Sequence, residues 1–148
     1  MILNRDYHGV SRGFILLKRG DILARKKPQT ATYDLIINQG DDFVFQLVLK
    51  DGQDNPIDIT GCTYECKVRE TAEDENVILT SQCSLLEPIN GLLEVHFKNE
   101  DTAKIDTDGD TYEDVNEYTY DVIQTTPYGE RTRVLQGMFY VSPGISYH

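Results

Sequence analysis

The sequence predicts an all-β protein, and three observations support that prediction. Segments in which apolar and polar residues alternate recur at roughly 8–15-residue spacing, which is typical of sandwiches and barrels. Turn-forming pairs such as Asp51-Gly52 and Thr60-Gly61 separate these segments. Hardly any segment shows the 3.6-residue period of a helix. We therefore expect an immunoglobulin-like antiparallel β-sandwich with an extended N-terminal arm, although the chain lacks the Trp of true immunoglobulin domains.

The first half of the chain contains the clearest strand, at residues 42–50. Every second side chain from Phe43 to Leu49 is apolar, whereas Gln46 and Lys50 make the other face mostly polar. This period of two predicts a half-buried strand with one face in water. Two further strands are predicted nearby, at residues 33–38 and 63–69.

The second half is predicted to contain extended segments at residues 77–86, 92–97, 118–125 and 131–141. The sequence PING at 88–91 is a turn signal. Asn99 is predicted to cap one helical turn at residues 100–104, because Asn is a preferred N-cap residue. Gly137 permits a bulge or a close backbone approach within the last strand.

The charge distribution divides the chain into two parts. Residues 1–30 contain seven basic and two acidic residues, a net charge of +5. Residues 31–148 contain seven basic and 23 acidic residues, a net charge of −16. This asymmetry predicts an extended basic arm, residues 1–30, attached to an acidic β-sandwich body, residues 31–148.

The arm combines an apolar run with basic residues, and three interpretations are open. It is either a solvated terminus, or a segment that docks on an acidic neighbour, or a nucleic-acid contact. Four consecutive apolar residues favour docking, and the acidic body disfavours nucleic acid. The predicted partner-binding residues are Phe14, Ile15, Leu16, Leu17, Lys18, Arg19, Arg25, Lys26 and Lys27.

Tyrosine is abundant, with nine copies in the chain. Tyr side chains bury area while keeping a polar tip, so they are frequent at interfaces. The pair Tyr118 and Tyr120 is predicted to be half core and half surface. Tyr128 and Tyr147, in predicted loops, are better candidates for an interface.

The strongest candidate for chemistry is the acidic loop at residues 106–117. Asp106, Asp108, Asp110 and Glu117 match the spacing of ligands in a calcium-binding EF-hand loop. Thr111, however, stands where the sharp turn requires Gly, and a strand is predicted to follow instead of a helix. An acidic surface loop is the preferred interpretation, and a weak Ca²⁺ site is the alternative. We expect no metal and no cofactor.

No motif for nucleophilic, metal-dependent or phosphate-binding catalysis occurs, and we expect a protein that is not an enzyme. No apolar run approaches the ~20 residues that cross a bilayer. The apolar run Phe14–Leu17 is too short for a secretory signal peptide and no cleavage site follows it, so we expect neither a cleaved signal nor a membrane role.

The cysteines, Cys62, Cys66 and Cys83, are odd in number. Cys62 and Cys66 would lie ~13 Å apart on one strand, beyond the ~7 Å limit of a disulfide. We interpret all three as small buried hydrophobes in a reducing compartment, which indicates assembly in the cytoplasm.

Several turn and strand segments together resemble a known family. They are QGDDF (39–43), LKD (49–51), NPIDITG (55–61), KVR (67–69), YTYDV (118–122), Gly129 and RVLQG (133–137). This pattern resembles the N-terminal sandwich domain of phage baseplate upper proteins and related small tail and fibre-attachment proteins. The resemblance covers about residues 35–142. It implies a structural subunit of a virion tail or baseplate, without catalytic residues.

The sequence thus leads to one favoured functional hypothesis and one alternative. The favoured hypothesis is a bacteriophage tail, baseplate or fibre-attachment subunit that binds other virion proteins through its arm. It would be present as a homo-oligomer or multi-copy ring. The alternative is a carbohydrate- or cell-surface-binding module of a tail fibre. A hydrolase on a sandwich scaffold is the least favoured hypothesis.

Overall fold

The structure is a computed structural model that describes the backbone of residues 2–5 and 11–18 and all atoms of residues 30–145. Strands dominate this part of the chain. In chain order they are β1 (Ile2–Arg5), β2 (Ser11–Lys18), β3 (Ala31–Thr32), β4 (Leu35–Asn38), β5 (Phe43–Lys50), β6 (Thr63–Arg69), β7 (Leu79–Thr80), β8 (Gln82–Glu87), β9 (Leu92–Phe97), β10 (Asn116–Thr125) and β11 (Arg131–Ser142). A 3₁₀ turn, Pro88–Asn90, precedes β9, and one helical turn, α1 (Asn99–Thr102), follows it.

The strands form two sheets around one hydrophobic core. The strand order is β1-β2-β5-β9-β8 in the first sheet and β3-β11-β10-β6-β7 in the second sheet, where β4 also pairs with β11. Buried side chains of β5 and β9 pack with those of β6, β10 and β11. The predicted all-β sandwich is therefore confirmed.

Two sets of strands pair in parallel within this mostly antiparallel sandwich. β2 pairs in parallel with β5 from Ser11↔Phe43 to Lys18↔Lys50. β3 and β4 pair in parallel with β11 in the second sheet. Parallel partners need long connections, so the chain between two paired strands carries other elements of the fold.

β5 lies inside the first sheet between β2 and β9, and its burial differs from the prediction. Its inward side chains are at most 3% exposed, as the alternation predicts: Phe43, Phe45, Leu47 and Leu49. On the opposite face, Val44 and Val48 are only 7% and 8% exposed. The prediction of a polar face in water was wrong at these two positions, because side chains of the adjacent strand β9 lie beside them on the same face, His96 opposite Val44 and Leu92 opposite Val48.

The helical turn α1 begins differently from the prediction. Its N-cap is Lys98, not Asn99, and no side chain of the cap bonds to the helix. The N–H of Asn99 instead donates to Oδ1 of Asp42, 2.9 Å away. The same oxygen lies 3.3 Å from Nε2 of His96. Asp42, the residue before β5, therefore supplies the acceptor that a cap residue would have supplied.

Gly137 in β11 confirms the predicted close approach. A Cβ at this position would collide with the backbone carbonyl oxygen of Tyr33, so the site admits only glycine without movement of the chain. The irregularity in this hairpin lies elsewhere, because the register shifts between Val122 and Ile123 of β10. Val134 and Leu135 are consecutive yet both buried at this bulge.

Tyr118 and Tyr120 both belong to the core, contrary to the half-core, half-surface prediction. The hydroxyl of Tyr118 donates to the carbonyl of Asp106 at 2.5 Å. The hydroxyl of Tyr120 donates to the carbonyl of Tyr33 at 2.6 Å. Burial is tolerated because each polar tip finds a backbone acceptor.

The extended segment predicted at 77–86 is two strands in two sheets. β7 pairs with β6 in the second sheet, and β8 pairs with β9 in the first sheet. The chain changes sheets at Ser81, whose N–H donates to the carbonyl of Cys66 at 3.0 Å. No Gly or Pro marks this change, so the sequence pattern did not reveal it.

Candidate partner-binding surfaces

Five of the nine predicted partner-binding residues lie on β2, namely Phe14, Ile15, Leu16, Leu17 and Lys18. Their backbone pairs with the second half of β5, from Gln46 to Lys50. The other four, Arg19, Arg25, Lys26 and Lys27, lie outside the described residues. The fold thus aligns the apolar run of the arm with the most buried strand of the body.

The arm also forms one border of the first sheet. β1 pairs antiparallel with β2, from Ile2↔Phe14 to Arg5↔Ser11, and is the outermost strand of this sheet in the part of the chain that the structure describes. An outermost strand presents backbone donors and acceptors that can pair with an extended segment of another polypeptide. The β1–β2 hairpin is therefore both part of this sandwich and a candidate docking edge.

A second candidate surface is the outer face of β6, β10 and β11 in the second sheet. It carries a groove of about 390 Å³ lined mainly by charged side chains, among them Glu65, Lys67, Arg69, Asp121 and Arg131. Four of the seven basic residues of the body, Lys67, Arg69, Arg131 and Arg133, lie on this face. The alternation of Glu65, Lys67 and Arg69 in the sequence was a signal for this face, but sequence reasoning did not use it.

The charges on this outer face are largely compensated by neighbours. Glu65 accepts from Lys67 at 2.8 Å and lies 3.5 Å from Arg131. Asp121 accepts from Nε of Arg133 at 3.1 Å. Arg69 donates to the backbone carbonyl of Asp74 at 2.7 Å. Such a network forms hydrogen bonds with polar partners, but it presents no net field of one sign.

The acidic loop at 106–117 is held by its own hydrogen bonds. The carboxylate of Asp114 accepts from the N–H groups of Asp110 and Thr111, at 3.2 and 3.0 Å. The side-chain oxygen of Asn116 accepts from the N–H of Asp108 at 3.2 Å. Within residues 30–145 no three His, Cys, Asp or Glu side chains come together as metal ligands. The loop geometry therefore differs from that of an EF-hand site.

A shallow groove adjoins this loop beside Tyr118. It is lined by Glu70, Asp106 and Asp108, with Lys104 among the lining residues. Burial, and then the carboxylates of Asp106, Glu70 and Asp108, raise the pKa of the Tyr118 hydroxyl. The hydroxyl therefore stays neutral and acts as a hydrogen-bond donor.

Few large apolar side chains of residues 30–145 are strongly exposed. Tyr128, in the turn between β10 and β11, is 92% exposed, and Tyr112 is 63% exposed. Ile36 on β4, Ile89 in the 3₁₀ turn before β9, and Ile145 are also exposed. Tyr128 was predicted as an interface residue, and its exposure leaves it available for one. Tyr147 lies outside the described residues.

Comparison with known proteins adds fold-level neighbours. No protein-family model matches the chain, and no curated protein matches it in sequence. The N-terminal domain of phage TP901-1 ORF48 is similar in structure, with a TM-score of 0.41 and 11% identity over 89% of this chain and 97% of that chain. Murine CRIg gives a TM-score of 0.30 and 16% identity, covering 80% of this chain and 95% of that chain.

Auracyanin A, a blue copper protein from the bacterium Chloroflexus aurantiacus, is a third neighbour. Its TM-score is 0.34 at 16% identity, covering 88% of this chain and all of the other. Similarity at this level concerns the fold alone. In the described segments, no helix has the length and apolar character needed to span a membrane.

Proposed function

We propose that the protein is a structural subunit of a bacteriophage virion, in the tail, baseplate or fibre-attachment region. It would bind neighbouring virion proteins through its arm, in a multi-copy or ring arrangement. In this proposal the protein has no catalytic activity and binds neither nucleic acid nor membrane.

The observation that carries the proposal is the position of the arm. Within the basic segment, whose net charge is +5, residues 2–5 and 11–18 pair as β1 and β2 at the border of the first sheet. The remaining chain has a net charge of −16. A basic arm on an acidic body suits contact with an acidic neighbour such as a second copy of the body. Backbone pairing at the edge would add a contact that salt does not screen.

The residues that carry the family resemblance support a scaffold role, because they build turns. Oδ1 of Asp51 accepts from the N–H groups of Gln53 and Asn55, both at 2.9 Å. Oδ1 of Asp58 accepts from the N–H and hydroxyl of Thr60 at 2.9 and 2.6 Å, and these bonds lower the pKa of Asp58. Such local bonds fix loop shape without providing a reactive group.

The docking role of the arm can be tested in the phage by reversing two of its charges without removing a strand. Lys26→Glu together with Lys27→Glu alters the basic segment and leaves β1 and β2 intact. We expect incorporation into particles to fall at least ~10-fold, because each reversal replaces an attractive contact with a repulsive one. The amount of the protein in purified particles, measured by quantitative mass spectrometry, reports the effect.

The matched control reverses an exposed lysine of the body, Lys104→Glu, and should leave incorporation unchanged. Normal incorporation of the arm variant would refute the docking role. Deleting residues 1–30 is a poorer test, because the deletion also removes β2 and uncovers the backbone of β5. A loss of incorporation could then reflect misfolding of the body.

A second candidate, a carbohydrate- or cell-surface-binding module, is favoured by one observation. The exposed ring of Tyr128 is a surface on which a sugar can stack. A glycan array with purified wild-type protein and Tyr128→Ala tests this function. Binding by the wild type that is lost in the variant would support it, and absence of binding by the wild type would remove it.

A further inference from the structure

Two cysteines from different sheets, Cys66 and Cys83, both lie beside Ser81, where the chain changes sheets. Cys66 lies on β6 opposite Val122 of β10, and its side chain is fully buried. Cys83 lies on β8 opposite Val95 of β9 and is half-buried against the same core. Ser81 is the connecting residue that ends the pairing with β6 and leads into β8.

Ser81 lies next to both cysteines. Its N–H donates to the carbonyl of Cys66 at 3.0 Å, so Ser81 stands opposite Cys66. Its Oγ lies 3.6 Å from Sγ of Cys83. Burial raises the pKa of both thiols, while hydrogen bonding with the Ser81 hydroxyl lowers the pKa of each. One hydroxyl therefore contacts both thiols.

We propose that Cys66 and Cys83 form a disulfide between the two sheets when the protein meets a disulfide oxidant. Ser81 stands directly opposite Cys66, and such opposed residues of antiparallel strands have Cα atoms about 4.5–5.5 Å apart. Disulfides accept Cα separations of about 4.4–6.8 Å. Cys83 follows only two residues after the residue opposite Cys66, and its thiol already reaches the Ser81 side chain beside Cys66.

The reaction balances as two thiol–disulfide exchanges with oxidised glutathione. The Cys83 thiolate, the more accessible one, attacks a glutathione sulfur, forms a mixed disulfide and releases one glutathione thiolate. The Cys66 thiolate then attacks Sγ of Cys83 and releases the second glutathione thiolate. The two released glutathione thiolates take up the protons that the cysteines lost. The two cysteines are oxidised to one disulfide, and one oxidised glutathione is reduced to two molecules of glutathione.

The bond would join β6 of the second sheet to β8 of the first. It would also close the segment between them, which contains the exposed loop at 70–76. Closing a loop of this size restricts the unfolded chain and stabilises the folded state. The inference does not depend on the proposed virion function, because it concerns two thiols within one chain.

The experiment uses the full-length protein incubated with oxidised glutathione, alkylated, and digested without reduction. Cys62 and Cys66 fall in the same tryptic peptide, between Lys50 and Lys67, so Cys62→Ser is analysed in parallel. We expect a peptide pair linked through Cys66 and Cys83 in both proteins. We expect the midpoint of thermal unfolding to rise by roughly 5–10 °C on oxidation.

Cys83→Ser is the negative variant, which should show neither the linked peptides nor the rise in midpoint. Three results would overturn the proposal: linkage through Cys62, linkage only between chains, or a stable glutathione adduct on Cys83 without a bridge. If a cysteine variant fails to fold, fragment-ion sequencing of the linked wild-type peptides still decides the question, because it shows whether Cys62 or Cys66 carries the bond.

Discussion

β5 and β10 are both interior strands, yet their outer faces differ. β5 buries Val44 and Val48 on its outer face as well as its inward side chains. β10 alternates regularly, and its outward residues such as Asp121 and Ile123 remain partly exposed. The comparison shows that a period of two identifies a strand, whereas neighbouring elements decide whether its second face meets water.

The same contrast separates two roles within the molecule. The first sheet incorporates the arm beside β5 and ends in the β1–β2 hairpin. The second sheet presents a face whose Arg133–Asp121 and Lys67–Glu65 pairs neutralise one another. In our proposal, the first sheet is the side that binds a partner, and the charge pairs of the second sheet face solvent.

We expect the largest loss of stability from a substitution in the core beneath β5. Phe45→Ala removes a fully buried ring that packs near Phe43 and Phe97. We expect the free energy of unfolding to fall by about 3–5 kcal/mol, measured by urea denaturation. Tyr128→Ala removes an exposed ring and should change it by less than about 0.5 kcal/mol. Equal losses for the two variants would contradict the assignment of the core.

A smaller loss of stability is expected from substitutions that compare the outer faces of β5 and β10. Val48→Thr places a hydroxyl on the covered face of β5 and should cost about 1–3 kcal/mol of unfolding free energy. Ile123→Thr makes a similar change on the open face of β10 and should cost less than about 0.5 kcal/mol. Urea denaturation of both variants gives the difference. A cost at Val48 as small as that at Ile123 would mean that the outer face of β5 is open to water.

The smallest expected change in stability comes from Tyr120, on the buried face of β10, at alkaline pH. Burial raises the pKa of the Tyr120 hydroxyl above its ordinary value, with smaller contributions from nearby groups including Asp34. Above about pH 10 the unfolded state loses this proton while the folded state keeps it, so stability falls as pH rises. Tyr120→Phe should show a shallower decline between about pH 9 and 11 in urea denaturation. An identical decline in both proteins would contradict the buried, protonated hydroxyl.

The sequence predicted the strands well where polar and apolar residues alternate, as in β6, β9 and β10. It did not predict the sheet change at Ser81, because no Gly or Pro interrupts Thr80-Ser81-Gln82. Nor did it predict that Asp42 would serve the first N–H of α1, since these groups are far apart in the chain. Contacts between distant residues leave no local pattern.

The candidate site was predictable only in part, for the same reason. The composition of the arm marked the run from Phe14 to Leu17 and the basic residues after it. The parallel pairing of β2 with β5 joins segments about 30 positions apart in the chain, and neither segment specifies the other by its pattern. The proximity of Cys66 and Cys83 depends on the same kind of long-range placement.

Cross-linking mass spectrometry of intact phage particles tests the central claim most directly. An amine-reactive cross-linker applied to particles reports which polypeptides approach Lys18, Lys26 and Lys27. Our account predicts cross-links from these lysines to another virion protein or to a second copy of the body. Cross-links confined to the same chain, or absence of the protein from purified particles, would contradict it.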